Sequence, residues 1–334
     1  MTSPEPGSNE WLGLLKEEIV DPERPIVDPH HHLWERRSST YLLDELLEDA
    51  GTGHNVVKTV FVECGSGYWK DGPEHLRPVG ETEFVRVIAV ESRNGPGPVI
   101  SGIVSHADLR LGGAVAEVLD AHEEAGDGLF RGIRHAGSRA ERPEALRIVG
   151  RAPAGLYADQ GFRDGVKFLG TRGLTYETWH YHYQNREFLD LVRAAPDTTI
   201  ILDHFGTPLG VGPYASHRAE IFEQWKKDIA DIADYPNVYA KLGGLAMPDI
   251  GHGWDTRPFP PTSDEFVEAF APFYLHTIEC FGPERCMFES NFPVDRWSIS
   301  YHVIWNGMKK VVSSFSESEK TAMCRGTAES VYRI

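Results

Sequence analysis

The stretch that decides the fold is Ile26-Val27-Asp28-Pro29-His30-His31-His32-Leu33-Trp34. It begins as an apolar β-strand and passes through a proline into three histidines. Because side chains alternate along an extended backbone, His30 and His32 face the same way and His31 faces the other way. Two neutral imidazoles on one side can hold a divalent cation, or can hydrogen-bond around a polarised carbonyl group. The alternative interpretation is a histidine-rich turn that carries no chemistry.

Composition and charge narrow the class of protein. The 334 residues are 41% hydrophobic, enough for one large α/β domain, and the net charge is −17. This charge argues against binding to nucleic acid or to anionic membranes as the main function, and we expect a small-molecule substrate. No apolar run is long enough to cross a membrane, and the N-terminus does not resemble a signal peptide. The four cysteines lack metal-type spacing, so we expect reduced thiols and a cytoplasmic protein, and leave open whether it forms a homo-oligomer.

Strands and helices alternate regularly after the first histidines. Residues 1–24 are expected to form a short leader, and residues 25–334 a single domain. Apolar, β-branched segments predict further strands at 56–64, 98–109, 130–135, 173–182, 198–204, 238–242 and 286–290. Eight strands alternating with helices favour a (β/α)8 TIM barrel, because a doubly wound sheet would carry a glycine-rich phosphate loop after its first strand.

Polar residues recur at the C-terminal ends of the predicted strands. They are His30, His32, Glu63, His106, Arg134, His135, His180, His182, His204, Lys241, Asn291 and Asp295. Because the carboxyl ends of barrel strands meet at the face that carries TIM-barrel active sites, these residues are expected to form a catalytic rim. Lys241 is expected to bind substrate or to pair with an acid, and Asp203 to face away from His204 in a structural role.

Six motifs resemble the amidohydrolase-2 family. They are Asp-Pro-His-His-His-Leu-Trp at 28–34, Gly-Ile-Arg-His at 132–135, Trp-His-Tyr-His at 179–182, Leu-Asp-His-Phe-Gly at 202–206, Lys-Leu-Gly-Gly-Leu at 241–245 and Phe-Glu-Ser-Asn-Phe-Pro-Val-Asp at 288–295. Their order along the chain makes the set more specific than any single motif. Within the family the chain is similar to the branch of the 2-pyrone-4,6-dicarboxylate and sugar-acid lactonases. The resemblance implies a barrel hydrolase that opens a small cyclic ester by water attack on its carbonyl.

The resemblance also implies roles for rim residues. His30, His32 and His204 match the family's catalytic histidines, and they would be the ligands if a divalent metal, most plausibly zinc, is bound. Because the branch also holds metal-free lactonases, the sequence leaves the metal open. The residues expected to bind substrate are Arg134, His182, Trp179, Asn291, His106 and Glu63. His106 has the alternative role of a core histidine satisfied by Asp108.

The eighth strand departs from the family pattern. Relatives usually carry Ser-Asp-Trp-Pro there, and the aspartate activates the hydrolytic water, whereas this chain has Ser-Asn-Phe-Pro at 290–293. The side-chain amide of Asn291 cannot act as a general base. Asp295 is therefore the expected base, with Glu63 and Glu289 as the alternatives.

Large aromatic residues in the loops after the strands predict a lid over the rim, suited to a flat, partly apolar and anionic or aromatic-derived lactone. They are Tyr68, Trp69, Trp179, Trp254, Phe259 and Trp297. Simple packing of the barrel mouth is the alternative role for them. Two other functions stay open at this point. One is a metal-dependent decarboxylase of the same superfamily, which needs no hydrolytic water, and the other is an inactive barrel that binds a small acid.

Overall fold

Eight parallel strands lie side by side in chain order and form a nearly closed barrel, which confirms the predicted (β/α)8 fold. The structure is a computed structural model that describes residues 4–36 and 39–334. The barrel strands are β1 (Ile26–His31), β4 (Val56–Val62), β5 (Val99–Ser105), β6 (Phe130–Arg134), β7 (Thr175–Thr178), β8 (Ile200–Leu202), β9 (Val238–Leu242) and β10 (Cys286–Phe288). The ring closes at His31, which bridges Phe292, and the N–H of His32 donates to the Phe292 carbonyl over 2.8 Å.

Helices cover the outside of the barrel. They are α1 (Asn9–Leu12), α2 (Leu43–Ala50), α3 (Val79–Asn94), α4 (Ala116–Gly126), α5 (Gln160–Thr171), α6 (Asn185–Ala194), α7 (Arg218–Ala233), α8 (Ser263–Phe281), α9 (Tyr301–Val311), α10 (Glu317–Thr321) and α11 (Thr327–Tyr332). A small antiparallel hairpin, β2 (Trp34–Arg36) and β3 (Ser39–Tyr41), follows β1. None of the helices in the described part of the chain combines the length and apolarity needed to cross a membrane.

The barrel strands read as continuous apolar runs because both of their faces are buried. Outward side chains such as Ile133, Leu202 and Phe288 pack under the helices, whereas Val60 and Ile201 fill the barrel interior. Near the carboxyl ends of the barrel strands, the residues that point into the barrel are charged. This change places the polar residues in one layer above an apolar floor.

Several strands end earlier than the sequence predicts. The strand expected at 173–182 ends at Thr178, and the strand expected at 198–204 ends at Leu202. The second of these ends because His204 and Phe205 adopt left-handed backbone angles, with φ of 52° and 58°, which no strand can accommodate. The seventh predicted strand, 238–242, is confirmed at both ends.

Residues 4–24 run along the outside of the barrel. The buried Trp11 donates its indole N–H to the carbonyl of Arg257 over 2.9 Å. Farther along, the ammonium of Lys309 donates to the carbonyls of Val20 and Asp21 over 3.0 and 2.7 Å. The boundary between leader and barrel near residue 24 stays a prediction.

Candidate active site

Three buried side chains from the carboxyl ends of different strands converge at the centre of the barrel. His30 comes from β1, His204 follows β8, and Glu289 follows β10. One ligand atom from each of the three lies within 4.8 Å of the others. The rings of His30 and His204 have centroids 4.6 Å apart. Burial, together with the nearby positive charges, holds the pKa of His30 well below its ordinary value, so its imidazole is neutral and able to act as a ligand.

The backbone conformation after β8 places His204 at the centre of the barrel, beside His30 and Glu289. The left-handed angles at His204 and Phe205 turn the chain sharply, which is uncommon for residues other than glycine. Gly244, after β9, leaves room for the imidazole, because a Cβ at that glycine would lie 2.6 Å from ring atoms of His204. Gly244 itself has φ of 76°, so both its conformation and its neighbour require glycine.

Glu289 joins the two imidazoles. Nδ1 of His204 donates to Oε1 of Glu289 over 2.6 Å. Nδ1 of His30 lies 2.6 Å from Oε2, but the angles are not those of a hydrogen bond, and Oε2 has no hydrogen-bond partner among the described residues. Burial raises the pKa of Glu289 to about 8. A buried carboxylate oxygen without a hydrogen-bond partner is costly, and a cation held by Glu289 and the two histidines would offset that cost.

Two cations flank the histidines. Arg134, at the end of β6, donates Nε–H to Oε1 of Glu63 over 2.8 Å, and its NH1 group donates to Nε2 of His30 over 3.4 Å. Lys241, on β9, donates to Oε2 of Glu177 over 2.7 Å, and its Nζ lies 3.5 Å from Nδ1 of His30. Burial lowers the pKa of Lys241, but the charges of its acidic neighbours outweigh burial and raise it overall. The lysine is therefore charged.

Asp203 lies inside the barrel with these groups, so the expectation that it faces away from His204 is wrong. Its carboxylate oxygens lie 3.8 Å from Lys241 and 3.9 Å from Arg134, and neither oxygen has a hydrogen-bond partner among the described residues. Burial raises the pKa of Asp203 to about 7. An unpartnered buried carboxylate is costly unless a further polar group binds to it.

Carboxyl groups outnumber cations in this layer. The acids are Glu63, Glu177, Asp203, Glu289 and Asp295, and the facing cations are Lys241 and Arg134. Burial raises the pKa of Asp203, Glu289 and Asp295, and a further positive charge at the centre would favour their ionised forms. The His30–His204–Glu289 group supplies two nitrogen ligands and one oxygen ligand, a set that catalytic metal sites use while leaving one position open. These residues therefore fit a divalent metal ion.

The other predicted catalytic residues lie close to this group. His32 stacks edge to face with His30, with ring centroids 5.0 Å apart, and its Nδ1 donates to the carbonyl of Val62 over 2.8 Å. That bond leaves Nε2 of His32 as the free nitrogen. Asp295 is fully buried; Oδ1 of its carboxylate accepts from the side-chain amide of Asn291 over 3.5 Å, and Oδ2 has no hydrogen-bond partner among the described residues. Burial, followed by the charge of Glu289, raises the pKa of Asp295 well above its ordinary range.

The structure separates some predicted substrate-binding residues from the centre. Nδ1 of His182 accepts the N–H of Leu209 over 3.2 Å, and its ring lines a surface cavity of about 410 Å³ beside helices α6 and α7. His106 donates Nδ1–H to the carbonyl of Arg134 over 3.0 Å, so Asp108 is not its partner. Trp179 is half-buried, and its indole N–H has no partner within the described residues.

A groove of about 570 Å³ lies on the same face of the barrel, beside the loops after β4 and β5. Tyr68, Arg77 and His106 line it, and Nε of Arg77 is buried without a partner in the described part of the chain. Glu63 and Arg134 are the neighbouring side chains that keep some exposure, 14% and 9%. The centre therefore approaches solvent on the side of Glu63.

Sequence reasoning passed over Glu177 and placed Asp203 wrongly. A signal for Glu177 exists in strand alternation, because Arg134 pairs with Glu177 in the β6–β7 register and both side chains point inward. A lone acid in a strand that is otherwise buried on both faces requires a cation, and Lys241, two strands away on β9, is the one that binds it.

Comparison with known proteins adds four findings. The Amidohydro_2 family, described as amidohydrolase, matches residues 27–334. The uncharacterised protein y4mH of Sinorhizobium fredii is 33% identical, across 92% of this chain and 98% of its own length. The L-fucono-1,5-lactonase of Burkholderia multivorans is 23% identical, across 92% and 96% of the two chains. The crystal structure of a Burkholderia multivorans amidohydrolase with bound zinc has a TM-score of 0.72 at 20% identity, covering 92% of this chain and 99% of that chain.

Proposed function

Because this chain belongs to the Amidohydro_2 family of amidohydrolases, and is thus an enzyme of the hydrolase type, we propose that it opens a small cyclic ester, a sugar-acid lactone or a related one, by water attack on the carbonyl. The observation that carries the proposal is the buried group of His30, His204 and Glu289 beside the Arg134 guanidinium. The relative named L-fucono-1,5-lactonase supports the ester substrate. Catalysis is favoured over binding without turnover, because the site holds groups that can polarise a carbonyl and a group that can accept a proton.

In this proposal His30, His204 and Glu289 hold a divalent ion, for which two imidazoles and a carboxylate favour zinc. When bound, such an ion polarises the ester carbonyl and lowers the pKa of water. His32 was expected to be a ligand as well, and this stays a prediction. With Nδ1–H bonded to the Val62 carbonyl, Nε2 of His32 is the nitrogen that can accept a hydrogen bond from water or from a substrate hydroxyl.

Glu289 is the general base of this proposal, in place of Asp295. Its two carboxylate oxygens lie 2.6 Å from Nδ1 of His30 and 2.6 Å from Nδ1 of His204, whereas the carboxylate of Asp295 contacts the side-chain amide of Asn291 over 3.5 Å. A carboxylate at the centre can take the proton of the attacking water and pass it to the leaving alkoxide of the ring. The assignment of Asp295 as the base remains the alternative, and variants of the two acids separate them.

Arg134 stabilises the oxyanion in this scheme. Glu63 holds the guanidinium through Nε, so the NH1 group is fixed toward His30 before the substrate arrives. A donor that is already oriented costs little reorganisation when negative charge develops on the carbonyl oxygen. The indole N–H of Trp179, which has no partner in the described part of the chain, is a further donor for a substrate oxygen, and the groove lined by Arg77 and His106 is the entrance for the substrate.

The test is a panel of sugar-acid lactones and pyrone lactones, with hydrolysis followed by proton release and metal content measured on the same protein. We expect turnover of at least one lactone, with about one divalent ion per chain. Release of carbon dioxide from a carboxylate substrate, without lactone hydrolysis, would instead identify a decarboxylase. Tight binding of a small acid without turnover of any lactone, amide or carboxylate would identify an inactive barrel.

We also propose that the enzyme works in the cytoplasm, since all four of its cysteines are free thiols, Cys64, Cys280, Cys286 and Cys324. Fractionation of cells that produce the chain from its own gene checks this location. Assembly into a homo-oligomer stays a prediction that sedimentation velocity can decide.

A further inference from the structure

The last helix of the chain fills the bottom of the barrel. Ala328, Val331 and Tyr332 of α11 pack with inward residues of the strands, among them Val27 and Ile201. The ring of Tyr332 is fully buried. A C-terminal helix therefore forms the floor below the charged layer, on the opposite side from the barrel mouth.

The hydroxyl of Tyr332 reaches the charged layer from below. It donates to Oε1 of Glu177, while Oε2 of the same carboxylate accepts from Nζ of Lys241 over 2.7 Å. The Lys241 ammonium also lies 5.5 Å from the centre of the Tyr332 ring, within cation–π range. All three side chains are fully buried, so water does not compete for these bonds.

Lys241 connects these bonds with the catalytic centre. Its Nζ lies 3.5 Å from Nδ1 of His30 and 3.8 Å from Oδ1 of Asp203. Three contacts therefore connect the third residue from the C-terminus to the first-strand histidine.

The geometry points to Tyr332 as a positioning residue, which through Glu177 fixes the Lys241 ammonium beside His30. Each oxygen of Glu177 has one partner, and the two partners together set the rotation of the carboxylate. Without the hydroxyl, Oε1 would be a buried acceptor with no partner, so the carboxylate would turn toward any remaining donor and draw the ammonium with it. The consequence for turnover rests on the proposed lactone hydrolysis, whereas the consequence for the environment of His30 does not.

The first arm of the test does not depend on activity. Histidine-selective ¹⁵N labelling, with the His30 signals assigned through His30→Gln, reads the surroundings of the ring by NMR. Tyr332→Phe removes only the hydroxyl, and we expect it to shift the His30 nitrogen signals by more than about 1 ppm. The matched control is Tyr41→Phe, since Tyr41 is also buried and its hydroxyl donates to a buried carboxylate, that of Asp49, over 2.9 Å. The control should leave the His30 signals unmoved.

Should Tyr332→Phe fail to fold, Glu177→Gln takes its place in this arm. Glutamine keeps an acceptor for the Tyr332 hydroxyl and weakens the contact with Lys241, so the His30 signals should move in the same experiment. Unmoved His30 signals in the folded variant would overturn the inference, whatever the protein hydrolyses.

The second arm uses a lactone that the wild-type enzyme hydrolyses. We expect Tyr332→Phe to lower kcat about tenfold and to leave KM within twofold, because the hydroxyl touches no substrate. Combining Tyr332→Phe with Glu177→Gln should lower kcat no further than Glu177→Gln alone, since both changes break one connected set of bonds. Multiplied effects would show that Tyr332 and Glu177 act independently of each other and would contradict the positioning role of Tyr332. A wild-type protein inert toward all lactones would refute the proposed function, while the NMR arm still decides the inference.

Discussion

Replacing Glu289 with glutamine tests the proposed base with the least change in shape. Glutamine keeps an oxygen that can accept from Nδ1 of His204, but it removes the negative charge and the ability to take up a proton. General-base assistance is worth about 10²- to 10⁴-fold in rate, equivalent to roughly 3 to 5 kcal/mol of barrier. We therefore expect kcat for the best lactone to fall at least a hundredfold.

Although Glu289→Gln should lower kcat, we expect it to keep or raise the free energy of unfolding of the metal-free protein. Burial raises the pKa of Glu289 from its ordinary value of 4.5 to about 8, so the folded state keeps a proton that the unfolded state releases. A raised carboxyl pKa destabilises the folded metal-free protein increasingly as the pH rises from about 4.5 to about 8. At pH 7 this penalty amounts to up to about 3 kcal/mol, and glutamine does not carry it. Urea unfolding of the metal-free variant should give an equal or higher free energy of unfolding and a weaker decline from pH 5 to pH 8.

Glu81→Gln is the matched control. Glu81 is also buried, burial raises its pKa to about 8, and its Oε1 accepts two backbone N–H groups that a glutamine oxygen can keep. Both variants should therefore gain stability near neutral pH, and only Glu289→Gln should lose turnover. Turnover of Glu289→Gln within tenfold of the wild type would refute the assignment of the base. An equal loss in Glu81→Gln would attribute the loss to disturbed packing.

Three further results are expected. Asp295→Asn should lower kcat less than tenfold, because Glu289, and not Asp295, lies 2.6 Å from both His30 and His204; a loss of a hundredfold or more in steady-state assays would move the base to Asp295. Dialysis against a chelator should abolish lactone turnover and added zinc should restore it, whereas full activity of protein shown by elemental analysis to be metal-free would exclude a required ion. Trp179→Phe keeps an aromatic ring but removes the pyrrole part of the indole with its N–H, which has no partner among the described residues, so KM should rise several-fold with little change in the melting temperature; an unchanged KM would return Trp179 to a packing role.

The barrel could be read from the sequence because its strands are buried on both faces. Segments such as 56–64 and 238–242 are apolar almost throughout, and their alternation with helices admits few other topologies. The strand ends were harder to place. Strand β8 stops two residues before His204 because the backbone turns left-handed there, and side-chain preferences carry almost no signal for a positive φ at histidine or phenylalanine.

Part of the site could also be predicted from the sequence. The shared orientation of His30 and His32 follows from alternation alone, and the structure brings their rings to 5.0 Å. The position of Asp203 did not follow, because a histidine next in sequence was assumed to take the inward side. The left-handed turn at His204 ends the alternation of side chains that an extended strand imposes, so Asp203 and His204 both face the centre. Contacts such as Lys241 with Glu177 join strands that are not neighbours, and only the closed barrel makes them short.

The asparagine on the eighth strand is best understood together with Glu289, two residues before it. Asn291 has φ of 56°, a conformation that asparagine tolerates better than most residues, and its N–H donates to the carbonyl of His30 over 3.0 Å. In this position the residue closes the barrel against β1, a task that needs no charge. Glu289 stands before the turn, its side chain points inward, and its two oxygens lie 2.6 Å from His30 and 2.6 Å from His204. A second carboxylate at 291 would add to a buried surplus of acids, so the asparagine limits the electrostatic cost of placing the acid at 289.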